Sequence, residues 1–355
     1  MEIKTLTVDI SKNFQHVCGF DAVGKLVLKK VCKPQSFHKL LGNTKPCTVV
    51  MEACGGAHHW ARTASKYGHT AKLIAPKFVK LFVDNYKNDF NDAKAIFEAA
   101  SRPRARFVAV KSQLQQEITF LHRSRSRLIE DRTQLINQLH AYVCELGYKA
   151  PKARGPLRQY VHDLCDPATS NVSQIIKAEL MLMLDDFAHK DKRVKDLDKT
   201  LMQIAISNPS AIKLMKVPGI GPITATALLS EVGDFNIFNS GREFAAWLGL
   251  VPKQYTTGGK IKLGPITKAG NRYLRKLLVH GARSLYALSK KIKQENQSRS
   301  LQWMNGLCGR AHTNIAVVAM ANKLARIVWA IIVHDREYDP TFVSKPPINL
   351  KKKLH

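Results

Sequence analysis

Four carboxylates near the start of the chain have the residue type and spacing that metal-assisted phosphoryl transfer requires. Asp9 lies in the β-branched segment TVDIS, and Glu52 ends the apolar segment VVME. Asp89 and Asp92 are three residues apart, so a helix there presents both on one face. An acid within an apolar strand is costly unless a cation compensates it, and Mg²⁺ prefers carboxylate oxygens. The set therefore predicts a two-ion Mg²⁺ site that acts on a phosphodiester.

Each of these acids also has an ordinary structural explanation. Asp92 suits the N-terminus of a helix, and Asp9 suits a turn. Such explanations account for one acid at a time, whereas the strand, strand, helix order of the whole set favours a metal site.

A second motif, VPGIGPITA, stands between two apolar segments at residues 217–225. It predicts a helix-hairpin-helix element in which Gly219 and Gly221 let backbone amides approach a phosphate. A glycine turn that merely joins two helices is the alternative interpretation.

The segment 247–285 combines hydroxyls, glycines and bases. We expect residues 256–260 to form an exposed loop that contacts phosphates, followed by a basic helix. The alternative is a surface helix whose basic side chains are merely solvated. The predicted nucleic-acid contacts are Gly219, Gly221, Lys253, Gly258, Gly259, Lys260, Lys262, Lys268, Arg272, Arg275 and Lys276.

The overall charge indicates an anionic partner. The 355 residues include 56 Lys and Arg against 27 Asp and Glu, a formal net charge of +29. Phosphate backbones are the usual partner of such an excess, which favours nucleic acid over an anionic membrane or a merely soluble basic surface. The cysteines form no CxxC pair and the start has no apolar leader, so we expect an intracellular protein.

The elements that must position the acids are predicted within residues 1–110. Three strands within 3–33, the last entered through a turn at Asp21–Gly24, then a further strand over 47–53 and alternating helices and strands indicate an α/β domain. The apolar segment 315–333 is interrupted by polar and charged residues, so it predicts a buried amphipathic helix and no membrane span.

Three further parts are expected after this domain. Residues 111–207 contain two long helical patterns, about 112–147 and 172–206, which predict an antiparallel coiled-coil arm or a plain helical linker. A Pro, Gly and basic connector at 149–159 would join them. Residues 208–340 are predicted to be mostly helical with Gly-rich turns, and 341–355 to be a flexible basic tail.

The motifs together resemble a known family. The order of VDIS, MEACGG, KNDFNDAKAI, HRSRSRLIEDRTQLINQLH, VPGIGPITA and WLGLVPKQYTTGGK is similar to that of the DEDD transposases of bacterial insertion sequences, the bridge-RNA-guided recombinases. The resemblance spans residues 5–335. It implies a RuvC-like (RNase H-like) domain in which Asp9, Glu52, Asp89 and Asp92 bind Mg²⁺, a coiled-coil middle, and a C-terminal transposase domain with a nucleophilic serine.

The resemblance also implies partners. Such enzymes work as multimers, here a dimer or tetramer, in which the acidic site of one subunit joins the serine loop of another. A structured noncoding RNA, the bridge RNA, pairs with donor and target DNA.

The chain departs from the family pattern at the nucleophile. Thr256 and Thr257 stand where the family has a serine before glycine, and Thr257 is the one next to Gly258. A threonine hydroxyl can attack a phosphodiester when it is activated, although its β-methyl group crowds the oxygen. A natural threonine variant, an inactive protein and the use of water as nucleophile all remain open.

The residues and the resemblance together predict a site-specific DNA recombinase or transposase of the bacterial cytoplasm, associated with the nucleoid and not with a membrane. Guidance by RNA is what the resemblance alone implies. One alternative is a hydrolytic Holliday-junction-type nuclease that uses the same acids. The other is a non-catalytic nucleic-acid-binding relative.

Overall fold

The computed structural model describes residues 2–83, 89–103, 105–166, 170–293, 295 and 297–341, and only the backbone of Asp89. The predicted basic tail therefore lies outside the described residues from position 342 onward. The chain separates into two compact units. The first holds the chain up to Glu117 and Val232–Ile237, and the second holds Ile118–Glu231 and the chain from Phe238 onward. The finer four-part division of the sequence stays a prediction.

The first unit is built on a mixed six-stranded sheet. The prediction of three strands followed by alternating helices and strands is confirmed, with α1, α3 and β6 as additional elements. Strands β1 to β3 form an antiparallel meander, and β4 runs parallel to both β1 and β5. The strands are β1 (Thr5–Ile10), β2 (Gln15–Phe20), β3 (Leu26–Cys32), β4 (Thr48–Glu52), β5 (Thr70–Ile74) and β6 (Phe107–Val108), in the order β3-β2-β1-β4-β5-β6. The helices are α1 (Pro34–Asn43), α2 (Ala57–Lys66), α3 (Pro76–Val79) and α4 (Asp89–Ser101).

The meander depends on a tight turn between β2 and β3. The Asp21 carboxylate accepts the backbone N–H groups of Val23 at 3.0 Å and Lys25 at 2.9 Å. Gly24 closes the turn with φ +82°, a conformation that glycine adopts without steric cost. The Asp21–Gly24 turn predicted from the sequence is thereby confirmed.

The two faces of the sheet have separate cores. Leu6 and Val8 of β1 point toward α1 and α2, where they pack with Phe37 and Trp60. On the opposite face, Val50 of β4 packs with residues of α3 and α4 such as Val79, Ile96 and Ala99. Strand alternation therefore decides which side chains of β1 and β4 face α4.

The second unit begins with a helical arm. Its helices are α5 (Gln113–Glu145, whose start belongs to the first unit), α6 (Arg154–Cys165) and α7 (Gln174–Ser207). Ion pairs join Arg125 to Asp198 and Arg132 to Asp191, so α5 and α7 run antiparallel. The two predicted long helices are confirmed, while the coiled-coil geometry stays a prediction.

The predicted connector at 149–159 is wrong from Arg154 onward, where α6 begins. Leu157, Val161 and Leu164 recur at helical spacing and pack between α5 and α7, against residues such as Leu139 and Leu180. Burial of this stripe stabilises a helix in a segment whose Pro156 falls in its first turn, where proline is tolerated.

The remainder of the second unit is mostly helical, as predicted. One correction applies, because the expected loop at 256–260 is part of a two-stranded antiparallel hairpin, β7 and β8. The elements are α8 (Pro209–Met215), α9 (Pro222–Val232, whose last residue belongs to the first unit), α10 (Gly241–Trp247), β7 (Pro252–Thr257), β8 (Lys260–Ile266), α11 (Arg272–Ser289), α12 (Arg299–Cys308) and α13 (Thr313–Val333).

Helix α13 is the one helix within the described ranges that is long and apolar enough to cross a membrane. It packs against α10, α11 and α12, and Val317, Met320, Leu324 and Val328 are buried there. It is therefore a core helix of this unit, in agreement with the predicted buried helix.

Candidate active site and nucleic-acid contacts

Asp9 and Glu52 lie at the same level of two neighbouring parallel strands. Val8 of β1 is opposite Met51 of β4, so the next residue on each strand is an acid. Val8 and Met51 belong to the core under α1 and α2. Alternation therefore directs Asp9 and Glu52 to the other face, the one that α4 covers.

Helix α4 is joined to this face by a hydrogen bond from β1. The hydroxyl of Thr7 is buried and donates to the carbonyl of Ala93 at 2.7 Å. Thr7 and Asp9 share a face of β1, and Asp92 directly precedes Ala93. The contact thus brings Asp92 toward the two strand acids.

The pKa of Glu52 reflects the proximity of the other two acids. Burial raises the pKa of the Glu52 carboxyl above its ordinary value, and the negative charges of Asp9 and Asp92 raise it further. The ammonium of Lys80 acts in the opposite direction. Three carboxylates therefore repel one another at this face, and a divalent cation would relieve the repulsion.

The donor set fits a hard divalent cation, although its described members do not complete a site. No three Asp, Glu, His or Cys side chains form a closed metal cluster within the part of the chain that the structure describes. Asp89 begins α4 one turn before Asp92, and its side chain lies outside the described residues. The predicted ligands are all carboxylates, which suit Mg²⁺ or a similar ion better than a thiophilic metal.

Two further side chains near the acids were not predicted from the sequence. His16 on β2 is the cross-strand partner of Asp9, and its ring meets the ring of Phe90 edge-on at a centroid distance of 5.3 Å. Lys80 follows α3 and acts electrostatically on Glu52. Only the strand register and the path of the chain after β5 bring these residues to the site, so neither has a sequence motif.

The candidate nucleophiles lie on the exposed hairpin. Gly258 and Gly259 both have positive φ, 55° and 77°, which gives the two-residue turn that matches strand twist. The register pairs Thr256 with Ile261 and Thr257 with Lys260. Because cross-strand partners share a face and neighbours alternate, the two threonines point to opposite faces of the hairpin.

The two faces differ in chemistry. Thr256 shares its face with Gln254, Ile261 and Leu263, and its hydroxyl oxygen accepts a hydrogen bond from the Gln254 amide at 3.1 Å. Thr257 is on the face of Tyr255, Lys260 and Lys262. Thr257 is therefore the threonine on the face that carries two lysines.

The predicted glycine contacts have different surroundings. Gly219 has φ +87° and packs tightly on α11, because a Cβ added at Gly281 would lie 2.1 Å from the Gly219 carbonyl oxygen. Gly221 is exposed at the start of α9, and nothing lies within 4 Å of an added Cβ. The helix, turn, helix order of α8 and α9 is present, while phosphate binding by this turn stays a prediction.

The predicted basic contacts also divide into two kinds. The guanidinium of Arg275 donates to the carbonyls of Leu248 at 2.8 Å and Ala269 at 3.0 Å, a structural role. The others are exposed on the surface of this unit. They are Lys253, Lys260 and Lys262 of the hairpin, Lys268 before α11, and Arg272 and Lys276 on α11.

Comparisons with known proteins address the class of the protein. A DEDD transposase profile of the IS110 type matches residues 6–146, and the profile of the Transposase IS116/IS110/IS902 family matches residues 211–297. The chain is 38% identical over 341 residues to a probable family 20 transposase of Pseudomonas aeruginosa, covering 96% of this chain and 100% of that one.

Two other relatives extend the comparison. The transposase for insertion sequence element IS1111A of Coxiella burnetii is 38% identical over 339 residues, 95% of this chain and 92% of that one. A pilin gene-inverting protein of Moraxella lacunata is 23% identical over 318 residues, 84% of this chain and 83% of that one.

The α/β sheet with its acids, the mostly helical C-terminal part and these full-length matches define an enzyme that acts on DNA as a transposase or recombinase. The chain belongs to the IS116/IS110/IS902 family of transposases, which confirms the family resemblance of the sequence.

Proposed function

We propose that this transposase cleaves and rejoins DNA strands at a Mg²⁺ site held by Asp9, Glu52, Asp92 and Asp89. The observation that carries the proposal is the convergence of three of these acids on the α4 face, where burial and then the charges of Asp9 and Asp92 raise the pKa of Glu52. Bound Mg²⁺ would polarise a scissile phosphate and ease ionisation of an attacking hydroxyl. The paired strands β1 and β4 hold Asp9 and Glu52 rigidly, and the Thr7–Ala93 hydrogen bond orients the helix that carries Asp92.

Thr257 is the proposed attacking hydroxyl, in preference to Thr256. Its side of the hairpin also carries Lys260 and Lys262, whose ammonium groups can hold a DNA backbone near the hydroxyl. Thr256 is on the apolar side and already accepts a hydrogen bond from Gln254. The opposite orientation of the two threonines supports a choice that the sequence leaves open.

The proposed partners are donor DNA, target DNA and a structured RNA that pairs with both. This part rests on the resemblance to bridge-RNA-guided recombinases. The acids and the hydroxyl are proposed to come from different subunits of a dimer or tetramer, working in the bacterial cytoplasm beside the nucleoid.

Recombination between a donor and a target plasmid, in cells that also express the RNA flanking the gene, tests the proposal. We expect joined product from the wild type and from Thr257→Ser, and none from Asp9→Asn or Thr257→Ala. Thr256→Ala is the matched control, because it removes the neighbouring hydroxyl from the other face of the same hairpin. Product from Thr257→Ala but not from Thr256→Ala would reverse the assignment.

The two alternatives give different patterns. A hydrolytic junction nuclease would yield cut but unjoined DNA, and a Thr256, Thr257 double alanine variant would still cut. A non-catalytic nucleic-acid-binding protein would give no strand cleavage, and Asp9→Asn would leave its binding unchanged.

A further inference from the structure

A cleft lined by polar and charged residues lies in the second unit, and no residue of the β7–β8 hairpin lines it. It has a volume of about 480 Å³ and opens between the N-terminal half of α5, the end of α9 and the start of α11. That volume is within the range of small-ligand sites. Ser126 and Glu130 of α5 are among the residues that line it.

One side of the cleft is cationic. Arg123 and Arg127 are exposed one turn apart on α5, and Arg272 is exposed at the start of α11. Arg127 has a distant ion pair with Asp131 at 3.7 Å, whereas Arg123 and Arg272 have no hydrogen bond or ion pair with any residue that the structure describes. The guanidinium groups of Arg123 and Arg272 are therefore available to an anionic ligand.

The floor of the cleft is held by a buried hydrogen-bonded chain. The Thr226 hydroxyl donates to the carbonyl of Pro222 at 2.7 Å, so its oxygen accepts from Nε2 of His122 at 3.0 Å. The other ring nitrogen, Nδ1, then accepts from the Tyr273 hydroxyl at 3.0 Å. Burial lowers the pKa of His122 to about 4, so the floor is uncharged at neutral pH.

The cleft also contains acceptors that a bare phosphate would avoid. Glu231 lines it and accepts a hydrogen bond from the amide of Asn271 at 3.3 Å, and Glu130 lies on the α5 side. Carboxylates repel phosphate but accept the N–H groups on the Watson–Crick edge of an unpaired nucleobase. Cations for a phosphate, acceptors for a base and an aromatic side chain are the combination that recognises unpaired nucleotides.

We propose that this cleft binds one unpaired nucleotide of a nucleic-acid strand. The backbone phosphate lies against Arg123 and Arg272, and the base edge donates to Glu231. In a duplex the Watson–Crick edge is already paired, so the cleft distinguishes a displaced or bulged nucleotide from a paired one. Both DNA and RNA present this chemistry.

The test is binding of the full-length protein in EDTA, measured by fluorescence anisotropy, so that metal-dependent strand chemistry has no part in it. The probes are a perfect duplex, the same duplex with a single-nucleotide bulge, and that bulge with an abasic residue, each made in DNA and in RNA. The variants are Arg123→Ala, Arg123→Lys and Arg154→Ala, the last removing an exposed arginine at the start of α6, a helix that packs on the C-terminal half of α5 and does not line the cleft.

We expect Arg123→Ala to weaken binding of the bulged duplex by about tenfold or more, the scale of a lost charged hydrogen bond. Binding of the perfect duplex should weaken no more with Arg123→Ala than with Arg154→Ala, and Arg123→Lys should recover part of the loss. The abasic bulge should bind the wild type as weakly as the perfect duplex does. A loss confined to the DNA or to the RNA probes assigns the cleft to that strand.

Equal weakening of bulged and perfect duplexes by Arg123→Ala would overturn the proposal, because it would indicate general attraction to charge. Equal binding of the abasic and natural bulges would also overturn it. If the wild-type protein gives no recombination but binds the bulged duplex as expected, the result counts against the proposed strand chemistry and not against this cleft.

Discussion

At the scale of single residues, the Glu52 carboxyl has the clearest energetic signature. Its pKa is raised in the folded state. At pH values above the ordinary carboxyl pKa, the ionised Glu52 therefore lowers the free energy of unfolding. The first cause is burial, and the second is repulsion from Asp9 and Asp92. Without metal, the acids of this site therefore destabilise the fold at neutral pH.

Glu52→Gln is expected to raise the free energy of unfolding by up to about 1 kcal/mol at neutral pH without metal, because the neutral amide removes the repulsion. The same variant should gain less stability from millimolar Mg²⁺ than the wild type and should form no joined product. Urea unfolding with Mg²⁺ or EDTA measures both effects. Glu98→Gln, an exposed acid on the outer side of α4, is the control and should change neither.

His122 predicts acid sensitivity of the second unit. Its pKa is lowered to about 4, first by burial and then by the charge of Arg125. Between pH 6.5 and pH 4, the unfolded chain therefore binds a proton at His122 and the folded chain does not. The neutral His122 makes its whole contribution to the free energy of unfolding above pH 6.5. This contribution, on the order of 3 kcal/mol, is lost as the pH falls toward 4.

His122→Gln should therefore reduce the loss of unfolding free energy between pH 7 and pH 4, while lowering stability at pH 7 through weaker hydrogen bonds to Tyr273 and Thr226. Denaturant unfolding at several pH values measures the difference between variant and wild type. Parallel pH profiles for the two proteins would contradict the assignment of this acid sensitivity to His122.

At the scale of elements, the contact between the α8–α9 turn and α11 is close to the limit of packing. The backbones approach so closely that a methyl group at Gly281 would overlap the Gly219 carbonyl oxygen. Gly219, the first glycine of VPGIG, is therefore required by packing and by its positive φ, whatever the turn binds.

Gly281→Ala is expected to lower the free energy of unfolding by about 1–3 kcal/mol, since the added carbon forces α11 away from the turn. Gly306→Ala is the matched control, because Gly306 is also in a helix and has open space around an added Cβ. It should stabilise slightly through helix propensity. Thermal unfolding of both variants measures the contrast, and equal effects would refute the packing argument.

At the scale of the whole molecule, the net charge of +29 favours association with nucleic acid, whose backbone is anionic. Each lysine that neutralises a phosphate releases counterions, so affinity falls steeply as salt increases. The hairpin places Lys260 and Lys262 on one exposed face, which makes them candidates for such contacts.

Lys260→Gln with Lys262→Gln should reduce the slope of log affinity against log salt concentration by about 1.8, the value for two duplex phosphate contacts. Lys192→Gln with Lys199→Gln on α7 removes the same charge and should change the slope little. Binding titrations of duplex DNA from 50 to 200 mM salt test this. Equal slope changes in the two double variants would mean that total charge, and not the hairpin, controls binding.

Prediction from the sequence was most successful where local pattern decides structure. The strands near Asp9 and Glu52, the Asp21–Gly24 turn and the two long helices follow from periodicity and turn chemistry, which act over a few residues. Helix α6 was missed because Pro156 and Gly155 suggested a connector, while its helical stripe depends on partners in α5 and α7. The hairpin was missed because a glycine pair among polar residues also suits a loop.

The family, the basic character and the identity of the candidate acids were predictable from the sequence, since they depend on residue types and their order. Which groups meet depends on the packing of the folded chain. Strand register puts Asp9 beside Glu52 and opposite His16, and hairpin register turns Thr256 and Thr257 to opposite faces. The cleft beside Arg123 joins residues from three helices. The physical reason is that register and helix packing are set by burial across the whole unit, which no local spacing encodes.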